Sequence, residues 1–197
     1  PQYAGDAEVE DRFIDRATDA MLLHHANIVT VLEVDAADKT PYLAMEYVDG
    51  WCLTEVIAAV GERQQPLSPD AAMHIVLELL SALRYAHDKE EAGAGGLAHP
   101  NLVARHVLLS REGEVKLKGF ADIDDHDGAN QGLSDLGRKQ RDVYRLGRLL
   151  FELLTGVPPL NGGDPQQVAE ALQRAPAVQF EPESPVQKTL QQLCIRA

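Results

Sequence analysis

Cysteine is scarce in this sequence, and so are long apolar runs. Cys52 and Cys194 are the two cysteines, and because they lie far apart in helix-like segments they do not indicate a disulfide framework. This usage is typical of a reducing compartment, so we expect a cytoplasmic protein. The charged residues Glu78, Arg84 and Glu152 interrupt the longest apolar runs. We therefore expect no insertion into a membrane.

Basic residues are also few. The chain of 197 residues has 18 Lys and Arg against 31 Asp and Glu, which gives a net charge of -13. Such a chain repels phosphate backbones, so we expect no nucleic-acid partner. The length and the hydrophobic content of 45% fit one sizeable core, or one domain with a small appendage.

The sequence does contain a clear hairpin pattern near its centre. Val107 to Leu109 form a short apolar run, residues 111–114 supply turn chemistry, and Val115 and Leu117 alternate with lysines. This pattern predicts two antiparallel strands joined by a tight turn. One loop precedes the hairpin and another follows it.

Helical patterns flank the hairpin on both sides. A helix is predicted from Ser68, which suits an N-cap, with Pro69 at the first helical position. A second helix is predicted over residues 142–155, where Gly156 ends an apolar segment. A short helix is expected over residues 51–60, and two more open near residues 164 and 184.

The N-terminal quarter predicts one helix and two strands. Apolar residues recur at helical spacing over residues 8–25, and β-branched or aromatic runs cover residues 28–34 and 42–47. The runs are joined by a polar turn. A small antiparallel sheet beside a helix is therefore expected here.

The stretch LAHPNLVARHVLLSREGEVKLKGFAD, residues 97–122, resembles the catalytic and metal-binding loops of eukaryotic-type serine/threonine protein kinases. Residues 13–29 resemble helix αC of that family and the entry to its next strand, and residues 45–50 resemble the hinge between its lobes. The resemblance implies an α+β, protein kinase-like fold. It implies a reduced N-lobe over residues 1–48 and a mainly helical C-lobe over residues 49–197.

The resemblance also implies that every charged catalytic position is replaced. The degenerate positions are His99, Asn101, Val103, His106, Gly119, Phe120, Ala121 and Arg16, where Arg16 stands in place of the αC glutamate. No G-x-G-x-x-G loop or V-A-I-K motif occurs, and the strands that carry them either lie upstream of this sequence or are absent. We therefore predict a pseudokinase rather than an enzyme, with no cofactor, no metal site and no ATP binding.

Three family positions that build the core are kept, namely His99, Phe120 and Asp142. A retained scaffold favours a signalling or scaffold module that binds other proteins. The alternative is an unorthodox nucleotide-binding protein or phosphotransferase that uses the acidic loop for metal. That loop contains Asp122, Asp124, Asp125 and Asp127, and a solvated acidic loop is the simpler interpretation because the spacing lacks a calcium-loop ligand set.

A two-stranded sheet is small for independent stability. Its free edge and second face would present apolar side chains, including Val29, Val31 and Leu43, to solvent. Such surfaces are usually covered by another chain, so a protein partner, most simply a second copy in a homodimer, is predicted. The alternative is that residues 1–7 fold back and cover the sheet.

Overall fold

The computed structural model describes residues 7–37, 40–62, 67–89, 96–123 and 134–156. Its N-terminal part consists of helix α1, Ala7–Met21, and the antiparallel strands β1, Val31–Ala37, and β2, Thr40–Met45. A register shift between Val31 and Glu33 bends the first strand. The predicted helix beside a two-stranded sheet is confirmed, although the helix ends four residues before His25.

The remaining described helices are α2, Leu53–Glu62, α3, Pro69–Asp88, and α4, Asp135–Thr155. Ser68 caps α3 as predicted, because its hydroxyl accepts a hydrogen bond from the amide of Ala71 at 3.2 Å. Helix α4 begins seven residues before the predicted start, where the hydroxyl of Ser134 accepts from the Gly137 amide. Gly156 ends it in the left-handed conformation, with φ 68°.

A second sheet joins the two parts of the fold. Its strands are β3, Gly50–Cys52, β4, Val107–Ser110, and β5, Val115–Leu117, in the order β3-β4-β5 and all antiparallel. The predicted hairpin of β4 and β5 is therefore confirmed. The prediction that Trp51 begins a helix is wrong, because Trp51 pairs with Leu109 in the sheet and the helix starts at Leu53.

Backbone hydrogen bonds attach the N-terminal part to this sheet. The amide of Val29 donates to the carbonyl of Leu117 at 2.9 Å, and the amide of Leu117 donates to the carbonyl of Asn27 at 2.8 Å. Glu46, at the start of the hinge-like segment, accepts from the amide of Thr30 and from the ammonium of Lys116. The carboxylate of Glu46 thus connects the hinge-like segment to Thr30, just before β1, and to Lys116 of β5.

One hydrophobic cluster runs through the described residues. Helices α3 and α4 contribute apolar faces, α1 contributes small side chains, and β5 contributes Val115 and Leu117; the largest fully buried apolar members include Leu23, Ile28, Leu53, Leu79, Leu102 and Leu153. Burial of this size supplies most of the folding free energy of a domain. The loop of residues 99–106 is attached to this core through the buried side chain of Leu102.

The α+β class predicted from the sequence is confirmed. The division at residue 48 stays a prediction, and the helices predicted near residues 164 and 184 lie outside the described residues. Within the described ranges, no helix combines the length and the apolar character needed to cross a membrane.

Candidate functional site

A cleft of about 370 Å³ lies between the N-terminal part and the loops around the hairpin. The N-terminal wall is apolar and includes Ala20 of α1, Val31 of β1 and Met45 of β2; the opposite wall contains Arg105, His106 and residues 118–122. The volume lies in the range typical of small-molecule sites, and the wall chemistry is asymmetric. An apolar group fits one side of the cleft and a charged group fits the other.

His99 and Phe120 pack together beneath the cleft. Their ring centroids are 4.8 Å apart in an edge-on arrangement, and the side chains are 3% exposed. His99 Nε2 lies 2.9 Å from the carbonyl of Lys118, and its Nδ1 accepts from the amide of Asn101 at 3.1 Å. These bonds fit a neutral imidazole, and the structural role of His99 and Phe120 stays a prediction that their burial supports.

The burial of His99 gives the fold a pH dependence. Burial is the main cause that lowers the pKa of His99 from 6.5 to about 3, so the folded chain keeps the ring neutral where the unfolded chain binds a proton. Stability therefore falls as the pH falls from 6.5 towards 3. At about pH 5 we expect this residue alone to cost about 2 kcal/mol of unfolding free energy.

Urea unfolding at a series of pH values checks this prediction. His99→Phe is expected to be less stable at neutral pH, because the Lys118 carbonyl loses its donor, but its stability should fall less steeply between pH 7 and 5. Equal slopes in the parent and the variant would show that His99 is not a buried neutral base.

Asp142 fixes the loop that carries His99. Its side chain is fully buried, and its Oδ2 accepts from the amide of His99 at 2.9 Å and lies 2.8 Å from Nε2 of His87. The predicted contact between Asp142 and the loop is present. The contact with His87 was not predicted, since nothing in the spacing of α3 distinguishes His87 from a surface histidine.

The other degenerate loop positions surround a short 3₁₀ turn, Ala104–His106. The carbonyl of Asn101 accepts from Nδ1 of His106 at 2.6 Å, so that imidazole is turned inward and is 5% exposed. Val103, half-buried, precedes the turn. The loop is therefore held by internal hydrogen bonds rather than left open.

Gly119 and Ala121 lie at the floor of the cleft, where Gly119 has φ 96°. A Cβ atom at position 119 would lie 2.9 Å from Oδ2 of Asp122 and 3.3 Å from Cγ of His106. The carboxylate of Asp122 thus occupies the space that a side chain at position 119 would fill. Sequence alignment alone did not find this, because Asp122 is displaced by three positions.

Asp122 is held there by its surroundings. Its Oδ2 lies 3.2 Å from Nε2 of His106. Burial raises the pKa of Asp122, but the contact with His106 and the positive charge of Lys118 lower it by more, so the net shift is downward. At neutral pH this group is a carboxylate. Asp124, Asp125 and Asp127 of the predicted acidic cluster lie outside the described residues.

Two cations at the cleft were also missed from the sequence. Arg105 is exposed and its Nε donates to Nε2 of His106 at 3.2 Å, while Lys118 is half-buried and directly precedes Gly119. The alternation along β5 could predict which side chains face the core, and Val115 and Leu117 do so. It does not extend to Lys118, which lies one residue beyond the end of the strand.

Arg16 lies on α1 and reaches the cleft floor. Its Nη2 donates to the carbonyl of Phe120 at 3.5 Å. At the position where the family has a glutamate, this cation therefore links α1 to the segment of Gly119, Phe120 and Ala121.

The predicted exposed surface of the small sheet needs correction. Val29 and Val31 are 5% and 8% exposed, and Leu43 is half-buried and packs against the core. All three line the cleft. The expectation that they face solvent is wrong, because β1 and β2 pack against α1 beside the cleft and Val29, which precedes β1, is bonded to Leu117 of β5.

Comparison with known proteins identifies the architecture. The model of the protein kinase domain matches residues 10–124. Serine/threonine-protein kinase PrkC of Bacillus subtilis is 31% identical over 184 residues, which cover 85% of this chain and 27% of that protein. Serine/threonine-protein kinase PknB of Mycobacterium leprae is 31% identical over 180 residues, covering 80% and 27%. The chain thus spans about a quarter of the length of these relatives.

The solved kinase domain of Mycobacterium tuberculosis PknI has the same fold. One crystal structure of it superposes with a TM-score of 0.71 over 92% of this chain and 71% of that chain, at 24% identity. At that identity the likeness supports the fold alone.

These relatives correct one prediction from the sequence. The prediction that the chain is not an enzyme is wrong. The matched proteins are named serine/threonine-protein kinases, and the matched domain is that of an enzyme family. The replaced positions had been judged one at a time, without regard to the carboxylate of Asp122, which lies beside position 119. The chain belongs to the protein kinase family.

Proposed function

We propose that this chain is the nucleotide-binding domain of a serine/threonine-protein-kinase-type signalling protein. In it, the cleft receives the nucleotide and Asp122 supplies a carboxylate that positions 101 and 119 lack. The observation that carries the proposal is the distance of 2.9 Å between Oδ2 of Asp122 and the point that a Cβ at position 119 would occupy. This takes up the alternative function considered from the sequence and replaces the expectation that ATP does not bind.

The asymmetry of the cleft supports a nucleotide as its ligand. A base can pack against the apolar wall of Val31, Leu43 and Met45, and the phosphates can reach Arg105 and Lys118 on the other side. Both kinds of group are needed to bind and orient a nucleoside phosphate. The exposed fraction of Met45, 41%, leaves part of that wall open to a ligand.

Phosphoryl transfer depends mainly on positioning and on charge. Among the described residues that line the cleft, Asp122 carries the one carboxylate, and its lowered pKa keeps that group ionised at neutral pH. A substrate hydroxyl would donate its proton to Asp122 while its oxygen bonds to the terminal phosphorus. The bond from that phosphorus to the bridging oxygen would break, and the nucleoside diphosphate would leave with the electron pair. Asn101, a poor proton acceptor, would only position the loop.

In the family, divalent cations neutralise the phosphate charge. The described residues do not fit such an ion well, since they contain no group of three or more His, Cys, Asp and Glu side chains able to hold a metal. Nδ1 of His106 already contacts the Asn101 carbonyl, and Gly119 offers no side chain. No step of this proposal depends on a bound metal.

A role as a scaffold that recruits proteins stays a prediction. It is supported by the aromatic side chains of Tyr47, within the hinge-like segment, and Trp51, directly after it, which are 87% and 47% exposed. Exposed aromatic residues of this kind are enriched at protein interfaces.

Binding of ATP to the 197-residue chain tests the proposal. ATP at about a hundredfold over its dissociation constant should stabilise the fold by about 2.7 kcal/mol, which is read as a rise in melting temperature. Alkylation of Cys52, which lines the cleft, should slow under the same conditions in a Cys194→Ser background. If ATP changes neither quantity, with or without Mg²⁺, the proposal is wrong.

Transfer of labelled phosphate to a mixture of seryl and threonyl peptides tests the role of Asp122. Asp122→Asn should still bind ATP but should lower transfer by about a hundredfold. Glu112→Gln is the matched control, because it removes a carboxylate from the exposed hairpin turn. Transfer by Asp122→Asn at the parent rate would rule out that role.

A further inference from the structure

The charge of the cleft is opposite in sign to that of the whole chain. The net charge of the chain is -13, yet the cleft lining contains Arg105 and Lys118 against the single carboxylate of Asp122 among the described residues. A local excess of positive charge on an acidic protein favours an anionic ligand at that place. The excess lies on the wall opposite the apolar residues.

The two cations project from fixed backbone positions. The amide of Lys118 donates to the carbonyl of His106 at 2.9 Å, and the carbonyl of Lys118 lies 2.9 Å from Nε2 of the buried His99. Arg105 is held through its Nε, which donates to Nε2 of His106 at 3.2 Å. The backbone of Lys118 and the guanidinium of Arg105 are therefore both attached to the same buried histidine pair, whose ring centroids are 5.4 Å apart.

This arrangement disfavours a divalent cation at the same place. The guanidinium of Arg105 contacts the imidazole nitrogen that would otherwise be offered to a metal, and Lys118 lowers the pKa of Asp122 through its charge. Like charges repel strongly where water is partly excluded. The ligand set is also poor for Mg²⁺, which prefers oxygen donors.

We propose that Arg105 and Lys118 neutralise the phosphates of the nucleotide in the role that divalent cations have in the family, so that nucleotide binding by this chain does not need a metal ion. This inference rests on the proposed function and specifies how its ligand is held. Ammonium and guanidinium groups are effective phosphate binders, and a guanidinium can donate two parallel hydrogen bonds. Magnesium would compete with the two side chains for the same phosphate oxygens.

Isothermal titration of the 197-residue chain with ATP, in EDTA and in excess Mg²⁺, tests the inference. We expect the dissociation constant in EDTA to be equal to or lower than that in Mg²⁺. Lys118→Met and Arg105→Gln should each weaken binding in EDTA by about tenfold or more, the loss of one charge-assisted contact. Lys118→Arg keeps the charge and should retain most of the affinity.

Arg111→Gln is the matched control, because Arg111 is an exposed cation that pairs with Asp49 outside the cleft. It should leave the affinity for ATP unchanged. Melting curves without ligand establish that each variant is folded, and Lys118→Arg gives a second reading if Lys118→Met is unstable.

The outcomes separate the two proposals. Binding that requires Mg²⁺ would overturn this inference and leave the proposed function standing. Binding in EDTA that is unaffected by Lys118→Met and Arg105→Gln would overturn the assignment of the two cations. The absence of binding in both conditions would overturn the proposed function, and this inference with it.

Discussion

Replacing Asp142 with alanine is expected to lower the free energy of unfolding by about 3 kcal/mol. The substitution removes the buried oxygen with which two hydrogen-bond donors interact, and leaves both donors without an acceptor. The amide of His99 and Nε2 of His87 both contact Oδ2 of Asp142, at 2.9 Å and 2.8 Å. Asp142 is fully buried, so water cannot replace the lost acceptor without opening the core. The loop that carries His99 and Asn101 would lose its attachment to α4.

The expected loss is measured as a shift in the urea midpoint at constant m-value. Asp142→Asn is the matched control. It keeps one oxygen acceptor, and its amide nitrogen can occupy the place of Oδ1, which has no hydrogen-bond partner among the described residues. A smaller loss is therefore expected for asparagine than for alanine. Equal stability of the parent and Asp142→Ala would contradict the assigned burial.

Local signals in the sequence predicted much of the fold. Ser68 and Pro69 marked the start of α3 because an N-cap hydroxyl and a proline at the first turn act within a few residues. The hairpin of β4 and β5 was predicted from alternation and turn chemistry, which are also local. Helix α4 begins earlier than predicted, at the cap Ser134. The earlier start was missed because residues 135–141 are mostly polar and lack an apolar helical pattern.

The errors concern contacts between segments distant in sequence. The strand β3 was missed because a run of three residues owes its structure to pairing with β4 rather than to its own pattern. Val29 and Val31 were expected to be exposed, since the sequence does not show that the segment before β1 pairs with Leu117 of β5 or which face of the small sheet packs against α1. Burial of a strand face depends on what packs against it.

The candidate site was harder to predict for the same reason. Reading the family positions one by one revealed the loss of charge at positions 101 and 119. It did not reveal that Asp122 and Lys118 both line the cleft beside position 119. Function of a site depends on which groups share a space, whatever their order along the chain.

The second large effect is expected from restoring an aspartate at position 119. Gly119 has φ 96°, which costs a residue with a side chain about 1 to 3 kcal/mol. A Cβ there would also lie 2.9 Å from Oδ2 of Asp122 and 3.3 Å from Cγ of His106. The crowding adds about 1 to 3 kcal/mol, and the second carboxylate would repel the first. Gly119→Asp should therefore be strongly destabilised.

Gly113 provides a matched control for the backbone cost. Its φ is 90°, and a Cβ at position 113 would meet no atom within 4 Å. Gly113→Asp should show the cost of the conformation alone, so the difference between the two variants measures the crowding beside Asp122. Urea unfolding of both variants gives the two numbers under identical conditions.

The double variant Gly119→Asp with Asp122→Gly then tests whether the two carboxylates compete for one space. Removing the side chain of Asp122 should relieve the crowding and the charge repulsion, so that the double variant approaches the stability of Gly113→Asp. Asp122→Gly alone completes the cycle, because it reports the cost of losing the contact with His106. A coupling energy of about zero would mean that a carboxylate at position 119 and Asp122 do not occupy the same place, and that Asp122 is no substitute for it.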